Sequence, residues 1–320
     1  MTRRNLITMA RSAMGCEVSV IFPAAGPSAS PAGYAALDEI DRLEAKLSVY
    51  RSDSAISCLN RAASIHPAPV DGEVLTLLDR AARIFSATAG AFDCSIGALI
   101  RAWGFYQGPR RVPEPEELEA ARAASGMAHV VLDSSARTVH FKRPGIEINL
   151  GAIGKGFAVD RALDCMRRHH GTTHALVQAG QSSFAALGTP PGEPEGWLVA
   201  IADPFRQGRE IALVRLKDRA MGTSGAEHQF FVHEGRRYGH VLDPRTGWPA
   251  AQLASATVFA PTAAEADAFS TAFYVAGADL AREFCARNPQ FAALLVTRPR
   301  PGQPAQVLAF NLNTKELKVA

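Results

Sequence analysis

Strand-like and helix-like stretches follow one another along this chain without the steady strand–helix–strand rhythm of a doubly wound parallel sheet. That irregular order is what most constrains the fold. Alternation over residues 17–22 reads as the first strand, and residues 23–31 form a Pro/Ala/Gly/Ser loop. Leu37, Ile40, Leu43 and Leu47 recur at spacings of three and four, giving a helix over residues 34–48. Val74, Leu77, Leu78, Ala81 and Ile84 repeat that pattern over residues 71–88, closed by Gly90. A short acidic helix follows Pro113 and Pro115, and residues 130–132 with 138–141 read as a hairpin. Residues 147–150 are expected to form a strand leading into a helix over 155–168, with another strand at 175–177. The prolines of residues 189–196 mark a surface loop. Strands recur at 197–201, 211–216, 230–232 and 256–259, then helices near 263–276 and 279–287, then strands at 292–297 and 307–310. Frequent hairpins with interspersed helices predict an α+β fold, and no repeat or low-complexity linker divides residues 1–320, so a single domain is expected.

Composition excludes several classes. The hydrophobic fraction is 47% with 20% charged residues, which a disordered or collagen-like chain does not have. The 34 Lys+Arg against 31 Asp+Glu leave +3, far below the concentrated charge of nucleic-acid binders. The five cysteines, Cys16, Cys58, Cys94, Cys165 and Cys285, are odd in number and lack metal-finger spacing, so free thiols in a reducing compartment are expected. Arg3 and Arg4 resemble the opening of a signal peptide, but Thr8, Arg11 and Ser12 break the apolar run that should follow. No stretch approaches the roughly 20 apolar residues of a membrane span. A cytoplasmic location is the expectation.

Four segments carry chemistry. In Asn149-Leu150-Gly151-Ala152-Ile153-Gly154-Lys155-Gly156, three glycines between a strand and a helix permit close backbone approach. The helix amino terminus then offers N–H groups to a phosphate. It is neither a Walker A motif nor a complete GxGxxG, and a plain tight turn explains it as well. Asp267 and Thr271, four apart on a helix, share one face and supply hard oxygen donors suited to Mg²⁺. The bland alternative is an aspartate near a helix start with a threonine packed beside it. His240 precedes the turn Asp243-Pro244-Arg245-Thr246-Gly247, where it can serve as a proton acceptor or as a structural hydrogen-bonding residue. Met221-Gly222-Thr223-Ser224-Gly225 again admits a close backbone, is not a GxSxG nucleophile elbow, and is equally well read as a turn.

Taken in order, these segments resemble the ApbE family, the FAD:protein FMN transferases. The resemblance runs from Met14-Gly15 to about Gly277. Its further landmarks are Ser48-Val49-Tyr50-Arg51-Ser52-Asp53-Ser54 leading to Asn60, and Gly90-Ala91-Phe92-Asp93 leading to Trp103-Gly104-Phe105. Each motif is modest alone, and their common order makes the set specific. It implies a T-fold-like α+β domain with mixed, largely antiparallel sheets and packed helices. It also implies Mg²⁺-dependent transfer of the FMN moiety of FAD to a Thr or Ser hydroxyl of an acceptor flavoprotein, with release of AMP.

Carried over by position, the resemblance places Asp267, Thr271 and the carbonyl of Ala152 at the metal. Met14, Tyr50, Ala91, Phe92, Asp93, Asn149, Lys155 and Val241 fall at flavin-nucleotide positions. Tyr50 is suited to stacking on a ring, Asp93 to accepting hydrogen bonds from adenine or ribose, and Lys155 to offsetting phosphate charge. His240 falls at the candidate base for the acceptor hydroxyl, and Asp267 is grouped with it as catalytic. One departure stands out: the family commonly carries Gly-Gly-Asp where this chain has Ala179-Gly180-Gln181-Ser182-Ser183. Cys16 stands where the family usually has Thr. Two alternatives share the nucleotide site, an FAD pyrophosphatase yielding FMN and AMP and a non-catalytic flavin-binding protein.

Overall fold

A computed structural model describes residues 6–24, 29–226, 229–299, 302–312 and 317–319. The chain opens with a hairpin, β1 (Leu6–Ala13) and β2 (Cys16–Pro23), so the strand expected first is the second. Thr8, Arg11 and Ser12 belong to β1, while Arg3, Arg4 and residues 25–28 of the expected loop lie outside the described residues. α1 (Ala29–Leu47) starts ahead of its apolar stripe and takes Pro31 in its first turn, where no N–H is needed. α2 (Ala55–Ala62) is not among the expected helices; its start is fixed by the Ser54 hydroxyl accepting Ser57 N–H at 3.0 Å. After β3 (Ala68–Pro69), α3 (Gly72–Ala87) is capped by Asp71, which accepts the N–H groups of Glu73 and Val74. α4 (Gly97–Ala102) and α5 (Pro115–Ala123) follow, then the hairpin β4 (Val130–Asp133) and β5 (Thr138–Phe141).

Residues 147–150 do not form the expected strand. Only Glu147 makes a bridge, an isolated parallel one to Ile96, because the Asn60 side chain occupies both the N–H and the carbonyl of Ile148. α6 (Gly154–His170) ends on Gly171 at φ 63°, the left-handed cap that glycine favours. The antiparallel strands β6 (Ala175–Ala179) and β7 (Ser183–Leu187) come next, then β8 (Trp197–Ala202) and β9 (Glu210–Leu216). The Met221-Gly222-Thr223-Ser224-Gly225 segment is not a turn but most of strand β10 (Ala220–Gly225). β11 (Phe230–His233) and β12 (Arg236–Gly239) make a separate hairpin arm. β13 (Leu253–Ala260), α7 (Ala263–Ala276), α8 (Ala278–Arg287), β14 (Ala292–Thr297), β15 (Val307–Phe310) and β16 (Leu317–Val319) complete the order.

All strand pairs between these elements are antiparallel, and eight of the strands join in the order β1-β2-β6-β7-β10-β13-β14-β15. The α+β architecture with antiparallel sheets therefore holds. One large apolar core unites residues of α1, α3, α6 and α7 with the sheet through Ile40, Leu77, Val159, Val177, Val258 and Phe273. A second joins Phe184, Met221, Phe259 and Leu294 to Trp197, Val199 and Val214 of the small sheet β16-β9-β8. Covered by both cores, β13 is buried at every residue, Ser255 and Thr257 included. A third cluster holds α4, α5 and the hairpin arm together around Trp103, whose indole N–H donates to Gly247 O at 2.8 Å.

α7 is inserted between α6 and β10, and two glycines make that possible. A Cβ on Gly156 would meet the backbone of Ala263 and Ala264, and one on Gly222 would meet the backbone of Ala266 and Asp267. Among the described residues no helix is long and apolar enough to cross a membrane.

Candidate active site

Several turns converge at one end of the large sheet. The β1–β2 turn holds Met14 at φ 53° and Gly15 at φ 73°, both left-handed, as a two-residue hairpin turn requires. Methionine is an uncommon residue in that conformation. Next to it, Gly180 N–H donates to Glu17 O at 2.8 Å, which brings the β6–β7 turn alongside. Thr223 N–H donates to Ser182 O at 2.8 Å, joining the end of β10 to the same turn.

The amino terminus of α6 faces this junction. Its cap residue Ile153 provides no side-chain acceptor, so the first N–H groups need partners from elsewhere. One partner is Asp267 of α7, whose Oδ2 accepts Gly156 N–H at 2.6 Å while its Oδ1 accepts the Ser183 hydroxyl at 2.7 Å. Burial pushes the Asp267 carboxyl up to about 6 against the opposing pull of Lys155, Ser183 and Gly156 N–H. Lys155 does not bond the carboxylate; its ammonium donates to Ser182 Oγ at 2.6 Å. Thr271, one turn along α7, donates to Asp267 O at 3.2 Å and lies 2.9 Å from Ser224 Oγ. With its proton spent on that carbonyl, the Thr271 oxygen keeps lone pairs for Ser224 O–H and for a further partner. Ala152 sits half-buried in the turn just ahead of α6.

Beyond the glycine-rich turn lies a cavity of about 310 Å³, with Tyr50, Asn60, Arg101, Tyr106, Glu147 and Asn149 among its lining residues. Asn149 Oδ1 accepts Gly151 N–H at 2.9 Å, closing the turn that leads to Ala152. Tyr50 keeps one of the more exposed aromatic rings of the chain, at 65%.

The 91–93 segment behaves differently. Ala91 and Phe92 are core residues. The Asp93 carboxylate is turned inward, accepting Ser95 N–H at 2.7 Å, Ser95 O–H at 2.6 Å and Met127 N–H at 3.1 Å. Burial raises its pKa although those donors oppose the rise. The structure therefore gives the Asp93 side chain three internal donors in place of the open acceptor edge expected for adenine or ribose.

His240 lies just past β12, its ring edge-on to Phe105 and its Nδ1–H donating to Gln229 O at 3.1 Å. In the neutral ring that bond leaves Nε2 as a bare acceptor. Burial lowers the His240 pKa, and the nearby charges of Lys155 and Arg110 lower it further, so the imidazole is neutral near pH 7. Val241 follows, half-buried, its carbonyl accepting Ala250 N–H.

Asp267, Thr271 and Lys155 thus form one connected network, Tyr50 and Asn149 share the cavity, and His240 is coupled to Lys155 by charge. Sequence reasoning did not single out Ser182, Ser183 or Ser224 as parts of this network. Two serines at the bend of an otherwise apolar hairpin were the available signal. Among the described residues no group of three or more His, Cys, Asp and Glu is placed to hold a metal. The donor set of Asp267, Thr271 and Ala152 instead has one carboxylate, a hydroxyl and a backbone carbonyl, all hard oxygens suited to Mg²⁺. A buried carboxylate without a bonded cation fits such an ion, because positive charge there offsets its desolvation.

A helix amino terminus, a lysine and hard oxygen donors beside an aromatic-walled cavity define a protein equipped to take a nucleotide phosphate. Comparison with known proteins gives the family. The ApbE family model matches residues 14–295, and the chain belongs to that family. The FAD:protein FMN transferase of Treponema pallidum is 36% identical over 273 residues, covering 78% of this chain and 75% of its own. The ApbE protein of Thermotoga maritima superposes with a TM-score of 0.85 at 31% identity, covering 94% of this chain and 96% of that one. The flavinyl transferase ApbE of Pseudomonas stutzeri superposes at 0.84 with 27% identity, covering 97% and 98%.

Proposed function

We propose that this chain is an FAD:protein FMN transferase, moving the FMN moiety of FAD to a Thr or Ser hydroxyl of an acceptor protein. The reading is carried by the joining of Asp267 and Lys155 through Ser183 and Ser182 at the amino terminus of α6. The names of its relatives support the same reaction. In the reaction the acceptor oxygen bonds to the phosphorus of the FMN half, the bridging P–O bond breaks, and AMP leaves with that bridging oxygen. The hydroxyl proton passes to His240 Nε2, left open by the bond from Nδ1 to Gln229.

Lys155, in the first turn of α6, holds the pyrophosphate, and Ser182 keeps the Lys155 ammonium in place. Asp267, Thr271 and the Ala152 carbonyl would hold Mg²⁺, which when bound supplies neutralisation of phosphate charge. Met14, Ala91, Phe92, Asp93 and Val241 are assigned to the nucleotide site by their positions in the family's motifs, with Tyr50 offering a stacking face and Asn149 shaping the turn. Residues 1–320 are read as one domain, supported by the way α6 and α7 pack on the large sheet. A cytoplasmic location is supported by five free thiols.

The test is incubation with FAD and Mg²⁺, with and without an acceptor domain bearing a flavinylation motif. An acceptor gaining one FMN, with equimolar AMP, is expected. AMP and free FMN at equal rates regardless of acceptor would make the protein a pyrophosphatase, and intact FAD would leave a binding protein.

A further inference from the structure

The Tyr50 ring does not stand alone in its cavity. The Tyr106 ring lies against it with centroids 5.1 Å apart and planes 30° apart. The Tyr106 hydroxyl donates to the carbonyl of Val49, the residue just before Tyr50, at 2.5 Å. Tyr106 therefore grips Tyr50 twice, by its ring and by the backbone that carries it. On Tyr106, in turn, the Arg101 guanidinium sits 4.8 Å from the ring centroid. Arg101 also bonds Glu147, Nε to Oε1 at 3.2 Å and Nη2 to Oε2 at 2.8 Å. Glu147 is two residues before Asn149, so this stack is tied to the segment that enters the glycine-rich turn.

A surface tyrosine this exposed would ordinarily lose rotamer freedom only when a ligand arrives, at a cost to affinity. Here the ring is ordered beforehand, and its high exposure leaves room for a second planar partner. We infer that Tyr106, backed by Arg101, is a positioning residue that sets the Tyr50 ring as a platform for one planar ring of FAD. This rests on the chain's being an FAD-using transferase.

Calorimetric titration of the full chain with FAD, FMN and AMP tests it, using wild type, Tyr106→Leu and Tyr106→Phe, with melting temperatures recorded. Losing an aromatic pair predicts about a three- to tenfold rise in Kd for FAD in Tyr106→Leu. The same rise is expected for only one of the two half-ligands, whichever carries the stacked ring. In transfer assays KM for FAD rises by a similar factor while kcat changes less than about twofold. Tyr106→Phe, which keeps the ring, stays closer to wild type than Tyr106→Leu. Unchanged FAD affinity in Tyr106→Leu overturns the inference, and so does an equal loss for FMN and AMP, which marks general loosening of the fold. Wild type failing to bind FAD overturns both this inference and the proposed function, whereas binding without transfer to any acceptor overturns the function alone.

Discussion

The backbone N–H of Gly156 donates to Oδ2 of Asp267 at 2.6 Å, across 111 positions of sequence. One carboxylate thereby caps a helix that has no cap of its own and stands as the only acid in the proposed metal set. Fold and chemistry meet on the same atoms. Close packing makes the bond possible, since glycine at 156 lets the first turn of α6 reach the backbone of α7.

Replacing Asp267 therefore has two separable effects. Asp267→Ala leaves Gly156 N–H and the Ser183 hydroxyl without their acceptor, a cost of about 1–3 kcal/mol for buried donors. The protein is expected to remain folded with a lowered melting temperature. FMN transfer is expected to fall by about a hundredfold or more, the scale for losing preorganised charge stabilisation. Thermal melting and acceptor mass check the two effects, and full transfer by the variant would remove Asp267 from the chemistry.

His240 sets a pH dependence of known sign. Its folded pKa lies below the ordinary 6.5, so between those two values the unfolded chain binds more protons. The stability it contributes is whole above pH 6.5 and declines as pH falls through that window. Transfer should follow the same side, with an acidic limb below pH 6.5 that is absent from FAD binding. His240→Gln is expected to bind FAD normally and to lose transfer at every pH. An unchanged acidic limb in residual transfer by that variant would assign the titration to another group.

Gly222 tests the packing that delivers Asp267. A methyl at this position meets the backbone of Ala266 and Asp267, so α7 must shift away from β10. Gly222→Ala is expected to destabilise by about 1–3 kcal/mol, the usual cost of overpacking. It should also lower transfer more than Ala220→Gly at the start of β10, because the shift moves the carboxylate. Denaturant unfolding beside the transfer assay distinguishes this from a simple stability loss, which saturating FAD would mask.

How far each part was legible depends on where its cause lies. α3 and α7 carry local signals, an apolar face with an Asp71 cap in one and a Thr262 cap in the other, and their boundaries follow within a residue. β14 and β15 are short apolar or alternating runs with clear ends. β1 was passed over because it alternates half-buried with exposed residues at a sheet edge, and Arg11 and Thr8 look like interruptions of an apolar run. β10 looked like a turn because Gly222 and Gly225 are chosen for what packs on the strand, not for the strand's own preference. The Ser182 bond to Lys155 was out of reach, since nothing in the local pattern says that a hairpin bend will meet a helix amino terminus.

By itself the sequence determined the α+β class, the helices with a complete apolar face, and an ordered set of motifs specific enough to define a family. Those properties reside in neighbouring residues, where periodicity and caps act over one or two turns. Tertiary structure alone decided that Asp267 caps α6, that Asp93 turns inward, and that Tyr106 braces Tyr50. The Gly156–Asp267, Met127–Asp93 and Tyr106–Tyr50 contacts each join segments far apart in the chain, so their geometry exists only once those segments have packed together.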